Sequence, residues 1–279
     1  MTLPTQVGVY GGGRMGAGIA HAFLVSGSAV TVIESSPESA SGAHQRVAAS
    51  LTRAAERGDP AAGEALDRLT VSTDAEQLSR CALVVEAVPE QPALKQEVLT
   101  AIETAAPDAW VATNTSSLSV DELAAALSRP ERFLGLHFFN PVPASRLVEI
   151  VVGAKTAPEL VELSRSWVAD LGKTAITVTD SPGFASSRLG VAIALEAMRM
   201  LQEGVATADD IDTAMELGYK HPVGPLRTTD LVGLDVRLAI AEHLAREVGD
   251  RFTPPAILRE LVAAGHLGRK SGQGFYTWS

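Results

Sequence analysis

A glycine-rich turn near the amino terminus constrains the fold of this 279-residue chain more than any other feature. The apolar run Val7–Tyr10 leads directly into Gly11-Gly12-Gly13-Arg14-Met15-Gly16, and an apolar helical pattern follows. In this G-x-G-x-x-G pattern Gly11 permits a tight turn, Gly13 lets the backbone approach a pyrophosphate, and Gly16 lets the helix pack on the strand. The start of the helix offers free N–H groups to phosphate. The segment therefore predicts a dinucleotide-binding unit.

An acidic residue at the end of the next apolar run indicates which dinucleotide is bound. Glu34 follows Ala29–Ile33, close to the offset at which a carboxylate accepts hydrogen bonds from ribose hydroxyls. Ser35 and Ser36 come next, and neither can pair with a 2′-phosphate as an arginine would. This pattern favours NAD over NADP as the cofactor.

Short Val-rich runs alternate with helical patterns through the first 180 residues. Alternation of this kind predicts right-handed βαβ crossovers and an α/β, Rossmann-like, doubly wound sheet. The predicted strands are Val7–Tyr10, Ala29–Ile33, Leu83–Val88, Trp110–Thr113, Phe133–Phe139, Leu147–Val152 and Ala175–Thr179.

The pattern changes at about Asp180 to helices alone. Asp180-Ser181-Pro182-Gly183 is a turn signal at the change. We therefore predict an NAD-binding Rossmann domain at residues 1–180 and an all-α carboxy-terminal domain at residues 181–279. The helices predicted in the second part are Leu189–Glu203, Ala208–Leu217, Leu234–Val248 and Pro255–Ala264.

Composition excludes several classes of function. The chain carries 33 Asp and Glu against 23 Lys and Arg, a formal net charge of −10, which argues against a nucleic-acid binder. Cys81 is the single cysteine and allows no internal disulfide, as suits a reducing cytosol. No apolar run approaches the ~20 residues of a membrane span, and the first residues do not resemble a signal peptide. We expect a cytoplasmic protein with no membrane association and no metal site.

Two ionisable residues lie within predicted buried strands, His137 in Phe133–Phe139 and Glu149 in Leu147–Val152. An isolated buried carboxylate is costly unless it is paired, and a nearby histidine would pair with it. The same two residues suit a general base and the acid that orients it, because removing hydride from an alcohol also requires a base for the hydroxyl proton. A purely structural pair is the alternative interpretation.

Several longer segments, spread through nearly the whole chain, form a distinctive set. They are Gly11–Ala20, Val84-Val85-Glu86-Ala87-Val88-Pro89-Glu90, Asn114-Thr115-Ser116-Ser117-Leu118, Gly135-Leu136-His137-Phe138-Phe139-Asn140-Pro141, Asp180–Phe184, Gly224-Pro225-Leu226, Asp230–Asp235 and Leu267–Gly272. Together these segments resemble the L-3-hydroxyacyl-CoA dehydrogenase family, above all its bacterial single-function 3-hydroxybutyryl-CoA dehydrogenases.

The resemblance implies roles for individual residues. His137 matches the catalytic base of the family, Glu149 the acid that orients it, and Ser116 a hydroxyl that contacts substrate and cofactor. It also implies an acyl-CoA substrate bound between the domains and a homodimer formed through the helical domain. The cofactor contacts that it implies are Gly11, Gly13, Arg14, Met15, Gly16, Glu34, Ala87, Glu90, Lys95, Asn114 and Asn140.

One matched position departs from the family. Where the family often has an asparagine that holds the substrate near the base, this chain has Ser187, a substrate-binding candidate with a shorter reach.

Arg46, Arg53 and Arg57 share one helix and could bind the phosphates of CoA, or simply form a solvated face. Of these, Arg53 is our predicted substrate contact. A substrate on an acyl carrier protein, a sugar acid such as gulonate, and a catalytically silent NAD-binding protein remain alternatives.

Overall fold

The computed structural model describes residues 3–278. The chain divides into two compact units, the first ending at Asp180 and the second beginning at Ser181. The first unit is an α/β unit built on one sheet, and the second is built from helices.

The first unit contains an eight-stranded sheet with the order β3-β2-β1-β4-β5-β6-β7-β8. Neighbouring strands are parallel except β6 and β7, which pair antiparallel. The Rossmann-like fold class predicted from the sequence is confirmed. The strands are Gln6–Tyr10 (β1), Ala29–Ile33 (β2), Leu69–Ser72 (β3), Leu83–Glu86 (β4), Trp110–Thr113 (β5), Phe133–Phe138 (β6), Leu147–Val152 (β7) and Thr174–Thr179 (β8).

The strand order reverses between β1 and β4, which makes the gap beyond their carboxyl ends the switch point where ligands bind in such sheets. Gly11 follows β1 and Ala87 follows β4, so both lie at this edge. The Ala87 N–H donates to the Tyr10 carbonyl at 2.8 Å, which keeps the two strand ends together. The glycine turn is therefore at the switch point of the sheet.

Between residues 3 and 180, five α-helices flank the sheet. Val9, Phe23, Val30 and Leu134 are fully buried in its core. The longest helix, α2, begins at a sharp cap, because Ser36 accepts a hydrogen bond from the Ser39 N–H and a proline follows Ser36. The helices are Arg14–Val25 (α1), Pro37–Glu56 (α2), Pro92–Ala105 (α3), Val120–Ala124 (α4) and Pro158–Asp170 (α5).

Two features of the sheet differ from the sequence-based expectation. Strand β3 was not predicted; it is a partly exposed edge strand paired only with β2, so it lacks the continuous apolar run of a central strand. The reversal of direction at β7 was not predicted either. Its antiparallel register places Glu149 directly opposite His137, which is how the sheet brings these two residues together.

In its described part, residues 181–278, the second unit contains five α-helices around a separate core that includes Leu195, Met198, Leu226 and Leu244. Its only β-pairing among the described residues is a pair of isolated bridges near the carboxyl end. The all-α second part expected from the sequence is confirmed. The helices are Ser186–Gln202 (α6), Ala208–Tyr219 (α7), Pro225–Val232 (α8), Leu234–Glu247 (α9) and Ala256–Ala263 (α10).

Helix α8 was not predicted because glycines bracket it and its sequence is short. The buried carboxylate of Asp212 replaces a local cap, accepting hydrogen bonds from the N–H groups of Leu226 and Arg227 at 2.8 and 2.9 Å. The Tyr276 hydroxyl donates to the same carboxylate at 2.8 Å. The start of α8 is therefore stabilised by residues distant in sequence.

Among the described residues, no helix is both long and apolar enough to cross a bilayer.

Candidate active site

The glycine turn after β1 has the geometry that a dinucleotide requires. Gly11 has a φ of +94°, which favours glycine. A Cβ atom on Gly16 would lie 1.8 Å from the Gly11 carbonyl oxygen, so the turn closes only with glycine there. A Cβ on Gly13 would meet no atom within 4 Å, so open space faces the backbone where a pyrophosphate would approach.

Helix α1 begins at this turn with its first N–H groups uncapped by any side chain and with no acidic residue in its first turn. This leaves positive potential at the turn, which favours phosphate. Glu34, at the end of β2, accepts a hydrogen bond from the Gly12 N–H through Oε1 at 2.7 Å, and Arg46 donates through Nε to the Gly12 carbonyl at 2.9 Å. The turn, the helix start and the acidic residue therefore fit a bound NAD.

His137 and Glu149 form a buried pair between β6 and β7. Nδ1 of His137 lies 2.7 Å from Oε2 of Glu149, and the two residues are 7% and 0% exposed. An ionised carboxylate only accepts hydrogen bonds, so this contact places the ring hydrogen on Nδ1 and leaves Nε2 as the basic nitrogen. The ring of Phe139 packs beside His137 with centroids 4.4 Å apart. The pair thus has the arrangement of a base and its orienting acid.

Ser116 lies in the loop after β5, and Glu90 fixes that loop. Oε1 of Glu90 accepts from the Ser116 N–H at 2.8 Å and from the Ser116 hydroxyl at 3.2 Å. The Thr115 hydroxyl and the Ser117 N–H donate to the same oxygen at 2.7 and 3.1 Å. One carboxylate oxygen therefore accepts hydrogen bonds from three consecutive residues of the loop and holds them together.

Glu90 is in turn held by Lys95 on α3. Nζ of Lys95 lies 3.3 Å from Oε2 of Glu90 and donates to both oxygens of Glu86 at 2.8 and 2.9 Å. Lys95 and Glu86 are both 0% exposed. Glu86 also accepts from the Thr113 hydroxyl and the Val88 N–H, so its charge is well compensated. Lys95, which the resemblance gave as a cofactor contact, lies beneath the pocket surface and supports Glu90.

The surroundings of Glu90 lower the pKa of its carboxyl group. Burial alone would raise this pKa, but the positive charge of Lys95 and the hydrogen bonds from Thr115 and Ser116 outweigh burial and hold it below its ordinary value. Glu90 is therefore ionised at neutral pH, and this charge keeps the loop hydrogen bonds strong.

Seven of the predicted site residues line one pocket of about 360 Å³ at the carboxyl edge of the sheet. Asn114 contributes to its wall and accepts a hydrogen bond from the Phe138 N–H at 2.9 Å. The predicted residues that line this pocket are Met15, Ala87, Glu90, Asn114, Ser116, His137 and Asn140.

A larger cleft of about 680 Å³ lies on the other side of Asn140 and is lined by arginines. Arg46 and Arg53 are two turns apart on α2, and Arg57 follows one turn later, so all three are on one helix face. Arg14, at the start of α1, adds a fourth cation to the lining. This concentration of cations would suit an anionic ligand.

The predicted residues that line neither pocket are Gly11, Gly13, Gly16, Glu34, Lys95, Glu149 and Ser187, and one residue of the site was missed. Ser187 belongs to α6 in the second unit. Glu86 was not singled out from the sequence, although the argument applied to Glu149 also applies to a carboxylate that ends a buried strand. The described residues contain no group of three or more His, Cys, Asp or Glu side chains able to hold a metal ion.

A dinucleotide turn beside a buried His–Glu pair is typical of nicotinamide-dependent dehydrogenases. Residues 6–181 match the family model for the 3-hydroxyacyl-CoA dehydrogenase NAD binding domain, and residues 183–278 match that for the 3-hydroxyacyl-CoA dehydrogenase C-terminal domain. The chain therefore belongs to the 3-hydroxyacyl-CoA dehydrogenase family, and it is an NAD-dependent oxidoreductase.

Individual relatives agree with this membership. The chain is 43% identical to a 3-hydroxybutyryl-CoA dehydrogenase of Mycobacterium tuberculosis, with 98% of each chain covered. It is 39% identical to a probable 3-hydroxybutyryl-CoA dehydrogenase of Bacillus subtilis, covering 98% of this chain and 97% of the relative. Among solved structures, the (S)-3-hydroxybutyryl-CoA dehydrogenase of Ralstonia eutropha is 39% identical with a TM-score of 0.95, covering 99% of this chain and 100% of that one.

Proposed function

We propose that this protein catalyses the NAD-dependent oxidation of an L-3-hydroxyacyl-CoA, such as 3-hydroxybutyryl-CoA, to the 3-ketoacyl-CoA, or the reverse reaction. The observation that carries the proposal is the 2.7 Å contact between the buried Glu149 and His137, which lines a pocket together with Ser116 and Asn140. Family membership of the whole chain supports the choice of substrate class.

His137 performs the proton transfer in this proposal. Its Nε2 removes the proton from the 3-hydroxyl group, and Glu149 stabilises the imidazolium that results. Bound over Gly11–Gly16, NAD would supply the acceptor for the hydride on C3 of the substrate. Ser116, whose backbone N–H is held by Glu90, would turn its hydroxyl away from Glu90 to donate a hydrogen bond to the substrate oxygen, and Asn140 would lie near the nicotinamide.

The dinucleotide is held by backbone and by one carboxylate. The N–H groups at the start of α1 bind the pyrophosphate over Gly11–Gly16, with Arg14 and Met15 in the first turn. Glu34 accepts from a ribose hydroxyl through Oε2, which receives no hydrogen bond from the residues in the described range 3–278. Ala87 and Asn114 contribute to the cofactor side of the pocket, with Glu90 anchored by Lys95.

The arginine-lined cleft favours CoA over the other candidate substrates. CoA carries three phosphates, so Arg53 and its neighbours Arg46 and Arg57 would offset charges that a sugar acid lacks. Ser187 contacts the acyl part of the substrate in place of the family asparagine.

We also place the protein in the cytoplasm, in agreement with its single buried cysteine.

We propose a homodimer formed through the helical unit. Every large apolar side chain that is exposed within residues 3–278 belongs to this unit, and exposed apolar surface of this kind marks protein contacts. These side chains are Leu189, Ile193, Val205, Leu217, Tyr219, Leu231, Val232 and Val236.

The proposed function is tested by following NADH absorbance with acetoacetyl-CoA. We expect turnover by the wild type and a loss of about 10²–10⁴-fold in kcat for His137→Gln, because general base catalysis contributes that much. His266→Gln, at a partly exposed position of the second unit, is the control and should keep full activity. Tight NADH binding without turnover of any acyl-CoA would favour a catalytically silent protein, and near-normal activity of His137→Gln would contradict the role of the base.

A further inference from the structure

Ser50 lines the arginine-lined cleft of the first unit, and a buried histidine lies directly behind it. Ser50 belongs to α2 and is half-buried in the wall of this cleft of about 680 Å³. Its Oγ lies 3.0 Å from Nδ1 of His21 on α1. His21 is 3% exposed and does not itself line the cleft. The Ser50 hydroxyl therefore links a buried ring to the surface that a ligand would touch.

The position of Ser50 on α2 places it among the cations of the cleft. Arg46 precedes it by four residues and Arg53 follows it by three, and residues at these spacings are neighbours on a helix. Arg57 continues the same face and also lines the cleft. In the described range 3–278, none of these arginines forms an ion pair with a carboxylate. An anion in the cleft would thus meet uncompensated positive charge beside a hydroxyl group.

His21 is neutral at physiological pH because burial lowers the pKa of its ring. The carboxylate of Asp59 raises this pKa. The positive charges of Lys173, Arg57 and Arg53 lower it. A neutral imidazole carries a single hydrogen, so Nδ1 either accepts a hydrogen bond from the serine hydroxyl or donates one to it.

An anion in the cleft selects between these two arrangements. Oxygens of an ionised phosphate accept hydrogen bonds, so a phosphate beside Ser50 requires the serine hydrogen to point toward the cleft. The serine oxygen then accepts from Nδ1–H of His21. Within residues 3–278 this hydroxyl has no hydrogen-bonding partner besides His21, so no competing acceptor holds its hydrogen.

We propose that His21 is a positioning residue for the CoA substrate: its Nδ1–H donates to the Ser50 hydroxyl, and Ser50 donates to a phosphate of CoA. This inference rests on the proposed function, in which the arginine-lined cleft takes the phosphates of CoA. Hydrogen bonds in a chain strengthen one another, and the bond that reaches the ionised phosphate is the stronger of the two. The hydride and proton transfers at C3 are unchanged.

The test compares the reduction of three thioesters by NADH. They are acetoacetyl-CoA, acetoacetyl-dephospho-CoA, which lacks the 3′-phosphate, and acetoacetyl-pantetheine, which lacks every phosphate. We expect Ser50→Ala to raise KM for acetoacetyl-CoA by about 10- to 100-fold, the value of a hydrogen bond to a charged group. His21→Leu should raise it by about 3- to 10-fold, the value of a hydrogen bond between neutral groups. Neither variant should change kcat, or KM for acetoacetyl-pantetheine.

A double variant shows whether His21 acts through Ser50. If it does, Ser50→Ala combined with His21→Leu has the KM of Ser50→Ala alone, because the group that the histidine orients is already absent. His21→Gln should restore most of the wild-type affinity, since its amide N–H can donate to the serine. His44→Leu, at an exposed position of α2, is the matched control and should leave every value unchanged.

An increase in KM that persists with acetoacetyl-dephospho-CoA assigns the contact to the pyrophosphate, and one that disappears assigns it to the 3′-phosphate; both results support the inference. Wild-type KM values for His21→Leu would overturn the inference while the proposed function stands. Multiplicative effects in the double variant, or an equal loss with acetoacetyl-pantetheine, would also overturn it, because His21 would then act elsewhere or only stabilise the fold. Turnover of none of these thioesters by the wild type would refute the proposed function and this inference with it.

Discussion

Replacing Glu149 with glutamine tests whether the buried pair performs the chemistry or only fills the core. Glutamine keeps the size of the side chain and can still hydrogen-bond to Nδ1 of His137, but it carries no charge. It can also donate through its amide N–H, which would move the ring hydrogen to Nε2 and leave that nitrogen unable to accept a proton. Either effect lowers the rate of proton removal from the substrate.

The expected magnitude follows from the burial and the distance of the pair. Once His137 is protonated, two unit charges about 4 Å apart attract each other by about 4 kcal/mol at the effective dielectric constant that suits protein sites. The 2.7 Å contact and the 0% exposure of Glu149 justify treating this attraction as unscreened by salt. At 1.36 kcal/mol for each factor of ten, its loss corresponds to a decrease of about 10³-fold in kcat.

The assay measures the reduction of acetoacetyl-CoA by NADH, together with NADH affinity by fluorescence and thermal unfolding. We expect kcat of Glu149→Gln to fall about 10³-fold with NADH affinity within a factor of about three of the wild type, because in the proposed function the turn at Gly11–Gly16, and not the pair, holds the dinucleotide. Glu159→Gln removes an exposed carboxylate from α5 and is the matched control. A decrease of less than tenfold, or a parallel loss of NADH binding, would refute the electrostatic role.

Three further predictions concern the residues around and beneath the pocket. Lys95→Met leaves Glu86 buried without its counterion and should lower the free energy of unfolding by about 3–5 kcal/mol in urea titrations, whereas Lys95→Met combined with Glu86→Gln should recover much of it. Because the pKa of Glu90 is lower in the folded protein than in the unfolded chain, its ionised carboxylate stabilises the fold above the unfolded-state pKa near 4.3, and this stability is lost as the pH falls through the folded-state pKa. Glu90→Gln should therefore flatten the decline of stability below about pH 4.3. Burial raises the pKa of Cys81 to about 11, so a thiol reagent at pH 8 should label it only after denaturation, and rapid labelling of the native protein would contradict its burial.

Features governed by local chemistry could be predicted from the sequence. The bounds of β2, β5 and β7 agree with their apolar runs, because buried strands are short and rich in Val and Ile. The turn at Gly11–Gly16 was predictable because few residue types can adopt its geometry. The edge strand β3 was not predictable because its hydrogen bonds to β2 stabilise it. Helix α8 was not predictable because the carboxylate of Asp212, distant in sequence, stabilises its start.

The His137–Glu149 hypothesis came from the cost of burying a carboxylate, which identifies a need for a partner but not the geometry. The geometry depends on the reversal at β7, which no local signal in Leu147–Val152 encodes. Glu86 and Lys95 form a similar pair, but Lys95 lies on a helix whose pattern is also compatible with a solvated lysine. Its burial becomes visible only when α3 is packed against the end of β4.

The net charge of −10 opposes the binding of NAD and CoA, both of which are anionic. In the first unit the local potential is positive where these ligands would bind. The first turn of α1 contains no acidic residue, and one cleft is lined by Arg14, Arg46, Arg53 and Arg57. The negative charges of Glu86 and Glu90 are compensated by ion pairs with Lys95, which lies beneath the pocket surface. Surface charges farther away are screened beyond about 8–10 Å at physiological salt, so these few cations and the start of α1 determine the potential that each ligand meets.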